Sequence, residues 1–522
     1  MQSKLSIGRE REVNRLPLGP VFDRRFINAK SAPQLSVLKE VIDEEDGFHA
    51  LYAAAMLVLA AALAGNVAHA QTVSMLYNFA GNGDGPSAFY NPGVLAQGQD
   101  GNVYTTSFAG GPSATDPYEA GTFFNMSPTG VPNILYTFVN GPNNPNTGCD
   151  PESGVTLGTD GNFYGSDILC TTGNNGQVFR MTPDGTLTPI YAFTGGTDGS
   201  QPLAAPIQGT DGNLYGTTYQ AGSANCGTVY QLTLAGVLTP LHQFDCTTGG
   251  MPSAPLIQGT DGNFYGTTIS GGTAGFGVVF EITPGGTYSV LYNFDGTHGG
   301  TPYAPLIQGT DGNLYGTAST GGKGTFGSAG VVFKLTLAGK IKILHNFGLT
   351  ASDGNDPVTG LVQATDSMLY GVTQSGGSAT LYGTVFRLKT GGTLYTTLYS
   401  FDGTTAGTPE IALLQHTNGG FYSFANEGGT LGGGTYYSLD AGLNPFVSLV
   451  STSGAVGSTI SILGQGFTGT KKVSFNGIPA AYTVLTDTSL TATVPSGATT
   501  GFVKVKTPGG TLKSNKKFII TP

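Results

Sequence analysis

Five acidic side chains could contact a ligand. Three of them follow a phenylalanine at regular points of the chain: Asp245, Asp295 and Asp402. The other two, Asp150 and Glu152, stand close to Cys149. Carboxylates in loops accept hydrogen bonds from sugar hydroxyls or bind a cation weakly, but they also cap turns. We expect turn capping at the three Phe-Asp pairs and keep all five acids as candidate contacts on a ligand-binding face.

The chain has four cysteines: Cys149, Cys170, Cys226 and Cys246. Four cysteines allow three pairings, and the spacing contains no CxxC metal pattern. The repeat pattern described below favours Cys149–Cys170 and Cys226–Cys246. Each bond closes a loop of roughly 20 residues and is worth about 2–4 kcal/mol in an oxidising compartment.

No residue set predicts a catalytic, cofactor-binding or metal-binding site. A glycosidase needs two carboxylates roughly 5–10 Å apart. A sialidase-type site needs three arginines, but residues 71–522 contain only Arg180 and Arg387. The chain has no tryptophan, on which quinone-dependent propeller dehydrogenases rely. A polysaccharide-cleaving enzyme is therefore the least favoured alternative.

One short motif recurs seven times and positions these residues. It reads Asp-Gly-Asn-Val-Tyr from Asp100 and returns at Asp160, Asp211, Asp261 and Asp311. It is weaker from Asp366 and from Asn418. A period of about 50 residues indicates a repeat architecture.

Each repeat holds four β-type segments, which we name A to D. In one repeat they are 255–258, 263–267, 277–283 and 290–294. Asp-Gly between A and B is a strong hairpin signal, because the turn needs positive φ. Four antiparallel strands in about 50 residues are typical of a propeller blade.

The two ends of the repeat region predict closure. It opens with an isolated D segment, 75–79, and finishes with an A-B-C set, 412–439. The first segment can complete the last blade and leave no exposed edge strand. We therefore expect an all-β fold: a seven-bladed β-propeller closed by its N-terminal strand, followed by a small immunoglobulin-like β-sandwich.

The first 70 residues are predicted to be a leader, with an apolar signal region at 49–71. The apolar run ends in Ala68-His69-Ala70, which resembles a signal peptidase site, with cleavage near Ala70–Gln71. The residues before the run are acidic, which departs from the usual basic start. An uncleaved membrane anchor is the alternative. We expect a secreted or cell-surface protein with no transmembrane span in the mature chain.

Charge divides the remaining chain in two. Residues 71–442 carry 7 Lys/Arg against 23 Asp/Glu, a net charge of −16, whereas residues 443–522 carry 7 Lys against one acid, Asp487, a net charge of +6. The boundary near 443 predicts a propeller at 72–442 and a separate domain at 443–522. The basic domain could contact an anionic envelope polymer, although a solvated surface explains it equally. Nucleic acid is not an expected partner.

The repeat GTDGNxYGTT…G[TV]VFxLTPxG…LYxF, over about 73–442, resembles the GloVer tandem-repeat proteins of bacteria. Residues 454–505, with Gly454-Ala-Val-Gly457 and Val473-Ser-Phe-Asn-Gly477, resemble the IPT/TIG immunoglobulin-like domain. The resemblance implies an exported repeat protein and brings no catalytic residues.

The D–A and B–C loops are long and dissimilar, for example 107–120, 139–153 and 348–359, and they share one face of a propeller. The sequence predicts that this face binds an extracellular ligand, a polysaccharide or a surface protein, without a cofactor. A structural component of a surface layer or adhesion apparatus is the main alternative.

Overall fold

The computed structural model describes residues 71–80, 94–108, 110, 121–138, 150–169, 173–324, 329–378 and 381–521. Every regular element in these ranges is a β-strand, so the all-β expectation is confirmed. None of the described residues belongs to a helix that could cross a membrane. The expected leader, 1–70, lies outside the described residues.

Seven four-stranded antiparallel sheets follow one another, and in each the strands lie in the order A-B-C-D. The strands of sheets 1 to 4 are Ala96–Gln97, Val103–Ser107, Thr122–Met126 and Pro132–Thr137; Thr156–Leu157, Phe163–Asp167, Gln177–Met181 and Leu187–Ala192; Ile207–Gln208, Leu214–Thr218, Thr228–Leu232 and Leu238–Gln243; Ile257–Gln258, Phe264–Thr268, Val278–Ile282 and Tyr288–Asn293. Those of sheets 5 to 7 are Ile307–Gln308, Leu314–Ala318, Val331–Leu335 and Ile341–Asn346; Val362–Gln363, Met368–Thr373, Thr384–Lys389 and Thr396–Ser400; Leu414–Gln415, Phe421–Ala425, Thr435–Asp440 and Thr72–Asn78. A two-stranded ribbon, Gly354–Asn355 with Ser375–Gly376, accompanies sheet 6.

The Asp-Gly-Asn-x-Tyr motif builds the A–B turn. In sheet 3, Gly212 has φ +84°, and the Asp211 carboxylate accepts hydrogen bonds from the Asn213 amide and, at 2.7 Å, from the Tyr215 hydroxyl. Burial and the bond to Asp211 raise the pKa of Tyr215 to about 12. The motif is therefore structural: the aspartate caps the turn and fixes the tyrosine of the B strand.

The B and C strands form the cores between sheets. In sheets 2 to 6, the motif tyrosine is followed by a glycine that lies under an aromatic ring of the C strand. A Cβ at Gly266 would lie 2.6 Å from the Phe280 ring, and one at Gly316 would lie 2.7 Å from the Phe333 ring. Phe280 and Phe333 are completely buried. These glycines are required because a side chain there would displace the ring.

Neighbouring sheets are joined by glutamines at the ends of the A strands. Gln208, Gln258 and Gln308 each accept a hydrogen bond from the backbone N–H of a threonine in the preceding sheet. Gln363 and Gln415 continue the pattern in sheets 6 and 7. Sheets 1 and 2 are joined instead by a backbone bridge between Val94 and Gly154.

The last sheet returns to the first. Gln97 of sheet 1 accepts a bond from the Thr417 N–H at 2.9 Å, and its amide donates to the Thr417 hydroxyl at 2.8 Å. As predicted, the N-terminal strand Thr72–Asn78 pairs with Thr435–Asp440 and supplies the D strand of sheet 7. The seven sheets thus form a closed cycle of contacts. We call the junction between sheets 7 and 1 the seam.

The tail contains two further sheets around one hydrophobic core. The four-stranded sheet has the order Ser448–Leu449, Thr459–Leu463, Ser489–Thr493 and Tyr482–Val484. The five-stranded sheet has the order Ser453–Ala455, Gly510–Thr521, Gly501–Thr507, Lys472–Phe475 and Ile478–Ala480. Ile462 and Leu490 from the first and Val473 and Val505 from the second are fully buried in this core.

The tail contacts the seam. The Thr417 hydroxyl donates to the Gly464 carbonyl at 3.2 Å and accepts from the Gln465 amide at 2.9 Å. The hydroxyls of Thr486 and Thr488 both donate to the Gln99 carbonyl of sheet 1. A single buried threonine is therefore hydrogen-bonded to sheet 1 and to the tail.

Candidate functional site

A proline precedes the A strand in sheets 2 to 7, in the loop that enters from the D strand of the preceding sheet: Pro151, Pro202, Pro252, Pro302, Pro357 and Pro409. The residue before each proline is not glycine, yet it has a positive φ of 51–57°. These residues are Asp150, Gln201, Met251, Thr301, Asp356 and Thr408. The left-handed conformation costs an ordinary residue energy, so other contacts must hold it.

Hydrogen bonds on both sides hold this backbone. In sheet 4, the Met251 N–H donates to the Cys226 carbonyl at 2.8 Å, and the Met251 carbonyl accepts from the Ile269 N–H. In sheet 5, Thr301 makes the same two bonds with Phe276 and Ser319. The D–A loop is thus hydrogen-bonded to the start of the C strand of the preceding sheet and to the end of the B strand of its own sheet. The backbone is uniform and rigid, although the side chains that it carries differ.

We define the rim as the residue after each of these prolines and the residue after each B strand of sheets 2 to 7. The first set is Glu152, Leu203, Ser253, Tyr303, Val358 and Glu410, and the second is Ile168, Tyr219, Ile269, Ser319, Gln374 and Asn426. Successive sheets meet here, since the Gln374 amide of sheet 6 donates to the Glu410 carboxylate of sheet 7.

Acidic residues occupy the rim in sheets 2 and 7, on either side of sheet 1. Glu410 also accepts a bond from the Asn426 amide at 2.6 Å, and burial raises its pKa. In sheet 2, burial raises the pKa of Glu152 to about 7, with a further contribution from the negative charge of Asp150. Burial likewise raises the pKa of Asp150 to about 6.

A third carboxylate belongs to the sheet 2 group. Asp167 ends the B strand, is fully buried and accepts a 2.8 Å bond from the Gln177 amide. Burial raises its pKa well above the usual range, and the charge of Asp150 adds to the effect. Burial and the mutual repulsion of these neighbouring carboxyl groups both favour their protonated forms.

The rim in sheets 3 to 5 has no charged residue and includes two tyrosines. Tyr219 follows the B strand of sheet 3, and Tyr303 follows the proline of sheet 5; both are partly exposed. Burial raises the pKa of Tyr219, and the nearby Tyr303 phenol raises it further. The rim therefore carries carboxylates on one side and two neighbouring phenol rings on another.

The Phe-Asp aspartates lie elsewhere, after D strands, at the sheet edge opposite the A strands. The Asp245 carboxylate accepts bonds from the Thr247 and Thr248 amides, and Asp402 does the same with Thr404 and Thr405. Asp295 accepts from the His298 amide and contacts its ring. Each carboxylate is used by its own turn, and these bonds lower the three pKa values.

Cys226 and Cys246 are joined by a disulfide with a Cα–Cα distance of 5.5 Å. Cys149 and Cys170 lie outside the described residues. Other sheets link the same two loop positions without a covalent bond: Phe276 packs on Gly296 in sheet 4, and Tyr382 packs on Gly403 in sheet 6. Cys246 has φ +65°, close to the +78° of Gly296 and the +72° of Gly403. In sheet 3, the disulfide therefore takes the place of the contact between an aromatic ring and a glycine that sheets 4 and 6 use.

Two features bear on what the described residues could bind: clusters of metal-ligating side chains, and cavities. The described part of the chain has no cluster of three or more His, Cys, Asp or Glu side chains placed to hold a metal ion. A cavity of about 130 Å³, lined by Tyr164, Arg180 and Gly236 among others, lies between the strands of sheet 2 and the C–D turn of sheet 3. That volume is below the roughly 300 Å³ at which ligand pockets begin.

Of the rim residues, the sequence analysis named only Glu152, and it missed the candidate contacts Tyr219, Tyr303 and Glu410. A signal was present, because the proline recurs in six repeats while the next residue changes from Glu to Leu, Ser, Tyr and Val. A constant backbone with a variable side chain is typical of a recognition surface.

Solved structures resemble this chain only weakly, with low TM-scores. A candidate 6-phosphogluconolactonase from Bacteroides fragilis NCTC 9343 is 17% identical over 65% of this chain and 94% of that chain, with a TM-score of 0.39. A protein of unknown function from Bacteroides thetaiotaomicron VPI-5482 is 14% identical over 71% and 76%, with a TM-score of 0.38. A fungal alcohol oxidase of the AA5 family in complex with copper is 13% identical over 70% and 96%, with a TM-score of 0.33. TM-scores this low say nothing about what this chain does.

No curated protein matches the chain. Two family models do match. The model of the Gloeobacter/Verrucomicrobia repeat covers residues 91–329 and 307–468, and the IPT/TIG domain model covers 445–519. The two resemblances inferred from the sequence are thus confirmed, and the chain belongs to the Gloeobacter/Verrucomicrobia repeat family, with an IPT/TIG domain at its C-terminal end.

Proposed function

We propose that the protein is an exported, non-enzymatic binding protein that captures a saccharide at the rim. In this proposal residues 1–70 are a leader, the seven sheets of 72–442 are the blades of a propeller, and 443–522 form an immunoglobulin-like sandwich. The closed cycle of sheet contacts supports the propeller. The disulfide Cys226–Cys246 supports an oxidising, extracellular compartment.

One observation carries the ligand assignment: a rigid backbone presents carboxylates on one side of the rim and the Tyr219–Tyr303 pair on another. Sugars have apolar C–H faces that stack on aromatic rings and hydroxyls that donate to carboxylates. Glu410 is already oriented by two amide donors, so it can accept a sugar hydroxyl without reordering.

Glycan-array binding of the purified chain tests this function. Tyr219→Ala/Tyr303→Ala should weaken capture about tenfold or more, since it removes the stacking surface. Glu152→Gln/Glu410→Gln should also weaken capture. The control Glu281→Gln/Asp440→Asn changes the net charge equally, away from the rim, and should bind like the parent chain.

Three outcomes would count against the proposal. Equal loss in the rim and control variants would mean that binding depends on net charge alone. Release of reducing sugar from a bound polysaccharide would make the protein an enzyme. A chain that captures no glycan but self-assembles into layers would favour the structural alternative.

A further inference from the structure

Five of the seven tail lysines lie on the outward face of the five-stranded tail sheet. In the strand Gly501–Thr507, Lys504 and Lys506 are exposed and alternate with the buried Val503 and Val505. Lys472, Lys513 and Lys517 are exposed on the two neighbouring strands. The alternation of the pleat places all five on the side opposite the core.

The strand register arranges them in one diagonal line. Lys472 lies directly opposite Lys506, and Lys504 lies directly opposite Lys513. Lys517 lies opposite Phe502, next along the line. The sequence of neighbours is therefore Lys472, Lys506, Lys504, Lys513 and Lys517, which we call the lysine stripe. Paired Cβ atoms across strands are about 5 Å apart, and alternate residues along a strand are about 7 Å apart.

No negative charge balances the stripe. None of the ion pairs in the described part of the chain involves a tail lysine. The only acid of the tail, Asp487, accepts a hydrogen bond from the Thr468 amide instead. Like charges directly opposite each other destabilise a sheet, and this sheet has two such pairs. The hydrogen bonds from the tail to the seam come from Gly464, Gln465, Thr486 and Thr488, so none of them involves a stripe lysine. Within the stripe, the Lys513 ammonium lies 3.7 Å from the centre of the Phe502 ring.

We propose that the lysine stripe binds a linear anionic polysaccharide, whose repeated carboxylates or phosphates lie along the line of ammonium groups. A linear polymer fits because the charges form a single row flanked by uncharged Ser474, Phe502 and Thr511. A flat anionic membrane would favour a broad patch. This inference is independent of the saccharide site at the rim, and it makes the tail an attachment module.

Co-sedimentation or titration calorimetry of the purified chain with polygalacturonate tests the stripe. The variant Lys504→Gln/Lys506→Gln should weaken binding on the order of tenfold, and affinity should fall steeply with salt because counterions are released. The control Lys323→Gln/Lys340→Gln removes the same charge from exposed lysines of the repeat region, and it should bind as the parent does. Neutral dextran should not bind.

Several results would overturn the proposal: equal weakening in both double variants, unchanged binding in the stripe variant, or monomeric galacturonate binding as tightly as the polymer. Tighter binding to vesicles of phosphatidylglycerol and phosphatidylcholine than to the polymer would assign the stripe to membranes. Tighter binding to duplex DNA would also reject it. The stripe variant should melt no lower than the parent, so lost binding would not reflect unfolding.

Discussion

At the scale of single residues, the same residue type serves two purposes. The motif aspartate Asp211 and the Phe-Asp aspartate Asp245 accept bonds from their own turns, and these bonds lower their pKa values. Glu152, Asp150 and Asp167 are set apart by burial, which raises their pKa values. Burial, rather than residue type, therefore separates these three acids from the turn acids.

Glu152 gives a pH-dependent prediction. Its folded pKa of about 7 lies above the ordinary 4.5, so the native state binds more protons between those values. Stability should therefore fall as the pH rises through this window and stay reduced above it. Glu152→Gln should raise the free energy of unfolding at pH 8 by about 1–3 kcal/mol and leave it unchanged at pH 4. Urea denaturation at both pH values measures this.

The exposed Glu427 supplies the control. Glu427→Gln should change stability by less than about 0.5 kcal/mol at either pH. A Glu152→Gln curve parallel to that of the parent would show that the carboxyl group is not buried in solution.

At the scale of elements, much of the fold follows from the sequence. Asp-Gly turns and the spacing of 50–60 residues predict the strand segments, and the unpaired first D segment predicts its pairing with the last sheet. The rim was harder to predict, because its side chains are brought together by contacts between sheets. Tyr219 and Tyr303 are 84 residues apart in sequence, and neither belongs to a motif. No local periodicity predicts that two such residues lie near each other.

The loop link of sheet 3 gives an element-scale prediction. If a disulfide and an aromatic ring on glycine are interchangeable there, Cys226→Phe/Cys246→Gly should fold and keep an ordered loop. It should be less stable than the disulfide form by about 1–3 kcal/mol, owing to the lost crosslink. It should be more stable than Cys226→Ala/Cys246→Ala, which has no ring to bury. Thermal denaturation of the three proteins decides the order, and equal stability of the two variants would contradict the equivalence.

At the scale of the molecule, the seam is where the closed cycle of sheets could open, and three sets of contacts hold it closed. The strand Thr72–Asn78 pairs along sheet 7, Gln97 bonds reciprocally to Thr417, and the tail binds Thr417 and Gln99. His416 adds a fourth contact: its Nε2 donates to the Gly101 carbonyl, and its Nδ1 accepts from the Asn418 amide. Burial lowers the pKa of His416, which keeps the ring neutral for both roles.

Thr417 is the residue whose loss should test this account, because its hydroxyl contacts sheet 1 and the tail at once. Thr417→Val should lower the free energy of unfolding by about 2–4 kcal/mol, since it leaves the amides of the buried Gln97 and the partly buried Gln465 without their acceptor. Thr365 occupies the equivalent position in sheet 6, where it bonds to Gln415 and is exposed. Thr365→Val should therefore cost less than about 1 kcal/mol.

In calorimetry, Thr417→Val should also separate the tail's transition from that of the repeat region, whereas Thr365→Val should keep a single transition. Equal losses from the two substitutions would mean that the tail contributes nothing to closing the seam.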